Sequence, residues 1–305
     1  MATLRTEPVL VRVPATCANL GPGFDTFGLA LEMYDSLVAM VSVDSGILIE
    51  VEGEGVEEVP RDASHLVVRA MALGFAAMQA LPAGFVLRCT NVIPHSRGLG
   101  SSAAAIIGGL VLARAMVVEG DELLPDSLLL QVALGLESHP DNLAAALHGG
   151  FTNAWLEGDG ARSVRHALHS KITPIIAVPE FQVPTSEARS ALEPMVSRQD
   201  ASFNIARSAL LVHALTTDPT LLFAATGDRI HQDSRRSMYP ASMDLLDALR
   251  ASGLPAVISG AGPSVLVFGA TGELDQVKTL AGSMWNVSEQ KVATKGAHVA
   301  PVLTP

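Results

Sequence analysis

Cysteine is scarce in this chain of 305 residues, basic charge is in deficit and long apolar runs are missing. The two cysteines, Cys17 and Cys89, lie far apart and form no C-x-x-C. That spacing argues against a disulfide framework or a structural zinc site and suits a reducing compartment. Lys and Arg number 20 against 31 Asp and Glu, a formal net charge of −11. Such a balance lacks the basic face that binding a nucleic-acid backbone needs, so no nucleic-acid partner is expected. It leaves room for a single nucleotide, whose charge a local loop and a metal can meet. The longest tempting membrane segment, Ala103 to Ala113, carries two internal glycines and ends at Arg114, too short to span a bilayer. The opening MATLRTEPVLVRV has no basic stretch followed by an apolar one, so no secretory signal is read there. The expectation is a cytoplasmic protein without a membrane partner.

What is present is core material. Hydrophobic residues are 49% of the chain and charged residues 17%, which supports packing and argues against disorder. At this length one large or two modest domains fit. Val9 to Val13 reads as a strand stopped by Pro14. Leu37 to Val43 and Gly46 to Val51 read as strands joined in a hairpin around Asp44-Ser45-Gly46. Ser64 to Leu81 reads as a helix with Ser64 as N-cap, followed by a strand at Phe85 to Asn91. Further helices are expected over Ala103–Val118, Pro125–Glu137, Asn142–Leu147, Ala201–Leu215 and Ser242–Ala251. Ile172 to Val178 reads as a buried strand, and Ala256–Ser259 and Ser264–Phe268 as strands flanking the turn Gly260-Ala261-Gly262-Pro263. Leu156 to Lys171 is polar and without period, which places a boundary there and divides the chain into residues 1–165 and 166–305. Strands and helices mix without strict βαβ alternation, so the class is α+β.

The most informative stretch is Pro94-His95-Ser96-Arg97-Gly98-Leu99-Gly100-Ser101-Ser102-Ala103. Gly98 and Gly100 permit close backbone approach, and the serines fall where a helix would begin. Free N–H groups and the positive end of the helix dipole suit an anion there. The competing reading is a glycine turn capped by serine ahead of a core helix. Two known phosphate fingerprints are absent. No lysine follows the loop as GxxxxGK[ST] requires, and the third glycine of GxGxxG is Ala103.

Taken whole, Pro-x-x-x-Gly-Leu-Gly-Ser-Ser-Ala-Ala resembles the phosphate loop of the GHMP kinase superfamily. Two more phrases resemble the homoserine kinases within it, Pro14-Ala15-Thr16 with Asn19-Leu20-Gly21-Pro22-Gly23-Phe24-Asp25 and Gly28-Leu29-Ala30, and Glu137-Ser138-His139-Pro140-Asp141-Asn142, while Ser259-Gly260-Ala261-Gly262-Pro263-Ser264 resembles the superfamily's third, C-terminal motif. Ser138 stands where the family has glycine. The resemblance implies a two-domain α+β fold, with an N-terminal part like ribosomal protein S5 domain 2, a ferredoxin-like C-terminal part and an active site between them. It also implies ATP and Mg²⁺ as cofactors, L-homoserine as small-molecule substrate and a possible homodimer.

The resemblance then suggests roles. Pro94 to Ala103 would hold the nucleotide phosphates. Glu137, with a hydroxyl of Ser101 or Ser102, would hold Mg²⁺; a carboxylate near a helix C-terminus is disfavoured unless a cation is bound. Homoserine carries a carboxylate, an ammonium and a hydroxyl, and each needs a partner when buried. Arg189 and Arg235 match the carboxylate clamp, with Arg236 one residue away as the alternative. Asp25 is the candidate for the ammonium, against a plain turn role. Asn19, His139 and Asn142 are implied around the hydroxyl, with Arg189 stabilising charge as it develops. Asp141 lies where related kinases carry a catalytic aspartate, and here it reads as orienting Asn142. His148 and His231 read as structural, and His166 and His169 as solvated.

Overall fold

The computed structural model describes residues 2–158, 160–270 and 272–302, so the outer limits of the expected halves, residues 1 and 305, lie outside the described residues. The strands are β1 (Val9–Ala18), β2 (Phe27–Ser42), β3 (Gly46–Gly53), β4 (Gly84–Asn91), β5 (Phe151–Glu157), β6 (Gly160–His166), β7 (Thr173–Pro179), β8 (Ala256–Ile258), β9 (Val265–Gly269), β10 (Trp285–Glu289) and β11 (His298–Ala300). The helices are α1 (Leu66–Ala77), α2 (Ser101–Ala115), α3 (Gly120–Leu123), α4 (Asp126–Ala133), α5 (Pro140–His148), α6 (Thr185–Ser190), α7 (Arg198–Thr216), α8 (Leu222–Ala225), α9 (Pro240–Ala251) and α10 (Leu274–Ala281). Among the described residues no helix is long and apolar enough to cross a membrane.

Two sheets organise these elements. The first runs β11-β1-β2-β4-β3, with β5 on β2 and β6 on β5. β1 does not stop at Pro14. It continues to Ala18 through an irregularity at which Pro14 faces Tyr34 and Ala15 faces Leu31. A proline has no N–H for the ladder, and a register break is where a strand tolerates one. The expected hairpin at Asp44-Ser45-Gly46 does not form. β4 lies between β2 and β3, antiparallel to the first and parallel to the second, and α1 makes the crossover from β3 to β4. The α1 N-cap is His65, whose Nδ1 accepts from the Val67 N–H, because Ser64 is engaged by Asp62 through both its N–H and its hydroxyl. The stretch read as a polar boundary holds the β5–β6 hairpin instead. A boundary at 165/166 therefore falls at the end of β6, and β11 returns from the C-terminal stretch to the first sheet.

The second sheet has the order β10-β7-β9-β8, antiparallel throughout, in a βαββαβ chain order. Its residues alternate between two cores. Ile176, Val257, Leu266 and Phe268 join the large core that also holds α1, α2, α4 and α5. Ile175, Ala177, Ile258, Val265 and Val267 pack with Met243, Leu246 and Leu249 of α9 in a second core. Both faces are covered, which explains why these strands read as continuous apolar runs. Cys17 and Cys89 are buried free thiols in β1 and β4, and burial pushes each up to about 12. His166 is not simply solvated, since its ring packs against Phe151.

Candidate active site

The phosphate loop ends in Gly100, which caps α2 from the left-handed region with no side-chain hydrogen bond to the helix. The N–H groups of the first turn thus lack a side-chain acceptor, and they open on a cavity of about 160 Å³. Close packing fixes the loop. A Cβ on Gly100 would collide with Thr16 Oγ1, and one on Gly98 would lie 2.8 Å from the Gly262 carbonyl oxygen. Ser259 Oγ donates to the Gly98 carbonyl at 2.6 Å, and the Thr16 N–H donates to the Leu99 carbonyl at 3.0 Å. The third glycine phrase therefore braces the loop from the second sheet.

Not all of the expected phosphate loop lines this cavity. Ser96, Gly98, Leu99, Gly100, Ser101, Ser102 and Ala103 do. Pro94 and Arg97 face a different hollow beside β10. The Arg97 guanidinium is spent on the carbonyls of Pro179, Glu180 and His95, so it has a bracing place rather than a phosphate-facing one. His95 lines a neighbouring apolar cavity of about 270 Å³, which shares Ser96, Ser101 and Ser102 with the first. That second cavity also holds Val59, Leu66 and the buried His65, which the sequence reading missed. His65 Nδ1 accepts from Val67 N–H, while Nε2 has no hydrogen-bond partner among the described residues. Burial lowers the His65 pKa, so the ring is neutral and Nε2 carries its proton.

The first cavity is also lined by Glu137, His139, Asp141, Asn142, Thr185, Arg189 and Arg235. Pro140 at the first position of α5 starts that helix straight after His139, which places Glu137 and His139 side by side. His139 Nδ1 lies 2.8 Å from Glu137 Oε1. Burial pushes the Glu137 carboxyl up, but the hydrogen bonds and charge of His139 outweigh it, and the net pKa lies below the ordinary value. The same hydrogen bond raises the His139 pKa. Asp141 is 3% exposed, and burial pushes its carboxyl up to about 6. It accepts the Asn142 N–H at 2.7 Å, while Asn142 Oδ1 accepts from Thr16 Oγ1 at 2.7 Å.

Asn19 and Asp25 both sit at positive φ, 66° and 53°, in the Gly/Pro-rich loop after β1. Asn and Asp tolerate that region better than most residues. The Asn19 amide is engaged at both ends and lines the cavity: Nδ2 donates to the Gly260 carbonyl at 2.8 Å, and Oδ1 accepts the Asp25 N–H at 2.9 Å. Asp25 sits at the cavity's edge, its Oδ2 4.0 Å from Nε2 of the cavity-lining His139. Its carboxylate is held by Arg189, with Nη2 to Oδ1 at 2.7 Å and Nη1 to Oδ2 at 3.4 Å. Of the two adjacent candidate arginines between α8 and α9, Arg235 lines the cavity and is 1% exposed. Arg236 is on the surface, paired with Asp233 and Asp247. Of the two, Arg235 is therefore the one that reaches the cavity.

Glu137 and the α2 hydroxyls are hard oxygen donors on one cavity, a set that suits Mg²⁺. Among the described residues no group of three or more His, Cys, Asp or Glu gathers as a metal site. Mg²⁺ does not require one, since it usually takes one or two protein ligands with water and phosphate completing the shell.

The family described as GHMP kinases N terminal domain matches residues 65–150, and GHMP kinases C terminal matches residues 211–280. The homoserine kinase of Streptomyces avermitilis is 48% identical over 298 residues, covering 98% of this chain and 97% of that protein. That of Clavibacter michiganensis is 48% identical over 262 residues, 86% of this chain and 83% of that protein. The crystal structure of homoserine kinase from Cytophaga hutchinsonii superposes with a TM-score of 0.82 at 24% identity, over 98% of this chain and 99% of that one. The chain has the two-domain GHMP kinase fold, and it belongs to the homoserine kinases of the GHMP kinase superfamily.

Proposed function

We propose that this chain transfers the γ-phosphoryl group of ATP to the side-chain hydroxyl of L-homoserine, giving ADP and O-phospho-L-homoserine, a step of threonine biosynthesis. One observation carries the reading. A single cavity brings together the uncapped N-terminus of α2 with Glu137 and, as a second set, Arg189 with Arg235. The first set answers a triphosphate, the second an amino-acid carboxylate. Residues 1–165 supply the phosphate side and residues 166–305 the two arginines, so the active site spans both expected halves.

The nucleotide's phosphates would lie along Gly98 to Ala103, with its base in the neighbouring apolar cavity beside His65. Glu137 and Ser101 or Ser102 would hold Mg²⁺, which supplies charge neutralisation at the β- and γ-phosphates when bound. The Asp25–Arg189 pair bears on the substrate. An entering zwitterion offers its ammonium to Asp25 and its carboxylate to Arg189 and Arg235, so it replaces one ion pair with two. Asn19 holds Asp25 and Gly260 in place and lines the cavity, where its second Nδ2 hydrogen can reach the substrate. His139 and Asn142 border the space left for the hydroxyl.

In the transfer, the hydroxyl oxygen bonds to the γ-phosphorus as the bond from phosphorus to the β,γ-bridging oxygen breaks. The hydroxyl proton leaves by way of the transferred phosphoryl oxygens to water. A strong base is not required by a loose transition state, in which positioning and charge stabilisation do most of the work. The α2 N–H groups and Arg189 meet the developing charge.

The test is continuous, coupled detection of ADP release from Mg·ATP, with L-homoserine, D-homoserine, L-serine and mevalonate in parallel. Turnover confined to L-homoserine is expected. Turnover on mevalonate alone would keep the phosphate site and overturn the substrate. ATP binding without turnover on any acceptor would point to a catalytically silent binding protein on the same scaffold.

A further inference from the structure

His231 lies outside every motif phrase, and it is fully buried beside the clamp. Its Nε2 is 2.7 Å from the Gly21 carbonyl oxygen, and its Nδ1 is 2.9 Å from Arg235 Nη1. A carbonyl can only accept and a guanidinium can only donate. The two contacts therefore require one state of the ring: neutral, with the proton on Nε2 and a lone pair on Nδ1. A second proton would set an N–H of the imidazolium against an N–H of the guanidinium.

The surroundings hold that arrangement. The Asp228 carboxylate, itself buried, accepts the N–H groups of Ile230, His231 and Gln232 and the Nδ2 of Asn204, which fixes the turn that carries His231. Phe24 stacks on the imidazole with centroids 5.2 Å apart, and the guanidinium carbons of Arg189 and Arg235 lie 5.8 and 5.7 Å from the centroid of the Phe24 ring. Arg235 Nε donates to the Ala188 carbonyl at 2.8 Å. With Nε and Nη1 engaged, Nη2 is the remaining nitrogen, the Tyr239 phenol lies close to the guanidinium, and Arg235 lines the cavity. The charged groups facing the imidazole are Asp228, at 3.9 Å from Nε2, Arg235 and Asp25. Burial outweighs the pull of the two carboxylates and lowers the His231 pKa.

We infer that His231 is a positioning residue for the substrate carboxylate: a neutral imidazole that ties Arg235 to the Gly21–Asp25 loop and leaves the Nη2 edge of the guanidinium for the carboxylate. The inference rests on the reading that Arg235 binds that carboxylate. It also explains why a lysine could not replace Arg235, since a single ammonium cannot serve Ala188, His231 and a ligand from one fixed plane.

The experiment compares wild type, His231→Leu, His231→Gln, Arg235→Ala and the double variant His231→Leu/Arg235→Ala in the coupled assay, with both substrates varied. Leucine removes the acceptor, and the glutamine side-chain carbonyl restores one. His231→Leu is expected to raise KM for L-homoserine roughly tenfold or more, the loss that goes with one hydrogen bond to a charged group, with KM for ATP within about twofold. His231→Gln is expected to recover most of that loss. The double variant is expected to be no worse than Arg235→Ala alone. In parallel, long-range ¹H–¹⁵N spectra of the ligand-free, histidine-labelled protein should show the His231 proton on Nε2 alone at neutral pH. Equal rises in both KM values, an unchanged homoserine KM in His231→Leu, or a proton on Nδ1 overturns the inference. A wild type with the expected tautomer but no homoserine turnover overturns the substrate reading instead, and the clamp with it.

Discussion

Asp141 and Arg235 are both buried at the site, and burial acts on them differently. For Asp141, burial raises the folded pKa to about 6, above the ordinary carboxylate value near 4. The sign follows from linkage. A raised folded pKa means the folded state holds the proton more tightly, so this group favours folding below the unfolded pKa, and that advantage is lost as pH rises through about 6. Two units correspond to about 3 kcal/mol, an order of magnitude only. Asp141→Asn removes the charge and keeps an oxygen for the Asn142 N–H. It should raise the melting temperature relative to wild type at pH 8 and change it little near pH 4. It should also keep substantial activity, because Asp141 serves Asn142 rather than the transferred proton. An activity loss as deep as that of Glu137→Ala would contradict that role. Arg235→Ala should raise KM for homoserine far more than KM for ATP, at a cost on the order of 2–5 kcal/mol for a buried charge pair. Initial rates with both substrates varied will show it. Arg235 could be separated from Arg236 only by burial. The sequence holds both, and the pairing of Arg236 with Asp233 and Asp247 is what leaves Arg235 for the cavity.

At the scale of elements, α2 and α5 do most to shape the site. The Ala/Ile/Gly/Leu run of α2 announces a buried helix, and its glycine-rich start announces an unusual entry. What the run could not announce is the partner at Gly100. Thr16 arrives from β1, and a methyl group on Gly100 would meet its hydroxyl. Gly100→Ala therefore combines a left-handed φ of 70° with a collision. A left-handed penalty of roughly 1–2 kcal/mol should appear as a lower melting temperature. The displaced loop should lower kcat tenfold or more, because a small misplacement of reacting groups is costly. An active, fully stable alanine variant would show that the loop has another way to close. The expected hairpin after β2 failed for a reason at this scale too. Asp44-Ser45-Gly46 is good turn chemistry, but β4 competes for β2 and wins by burying Leu87 and Cys89 against it. The β5–β6 hairpin was hidden because β6 is an edge strand whose Arg162, Val164 and Arg165 are exposed, so its sequence shows little apolar alternation.

For the whole molecule, the question is what keeps the second sheet in register with the phosphate loop. Arg97 spans that junction, with its guanidinium on the carbonyls of Pro179 and Glu180 at the end of β7 and on His95 in its own loop. Gly260 N–H to the Ala18 carbonyl and Ser259 to Gly98 add further ties. Arg97→Ala should cost about 1–3 kcal/mol, the range for removing hydrogen bonds from a charged donor. The prediction is a lower midpoint in urea with KM for ATP changed less than about threefold. A large rise in ATP KM at unchanged stability would return Arg97 to the phosphate site. The large core runs without a break from the first sheet to one face of the second, so thermal unfolding should be a single transition, which calorimetry can check.

The sequence by itself determined the α+β class, most helices, the glycine-serine loop and the phrases that identify the family. These are local properties, set by spacing, turn chemistry and helix-start residues within a few positions of one another. The tertiary structure alone decided that β4 separates β2 from β3, that Arg235 rather than Arg236 lines the cavity, that Asn19 spends its amide on Gly260 and Asp25, and that His231 reaches Gly21 and Arg235 at once. Each of these joins groups distant along the chain or turns on which side chain is buried. Such choices depend on which surfaces meet when the two sheets pack, and no local pattern encodes that.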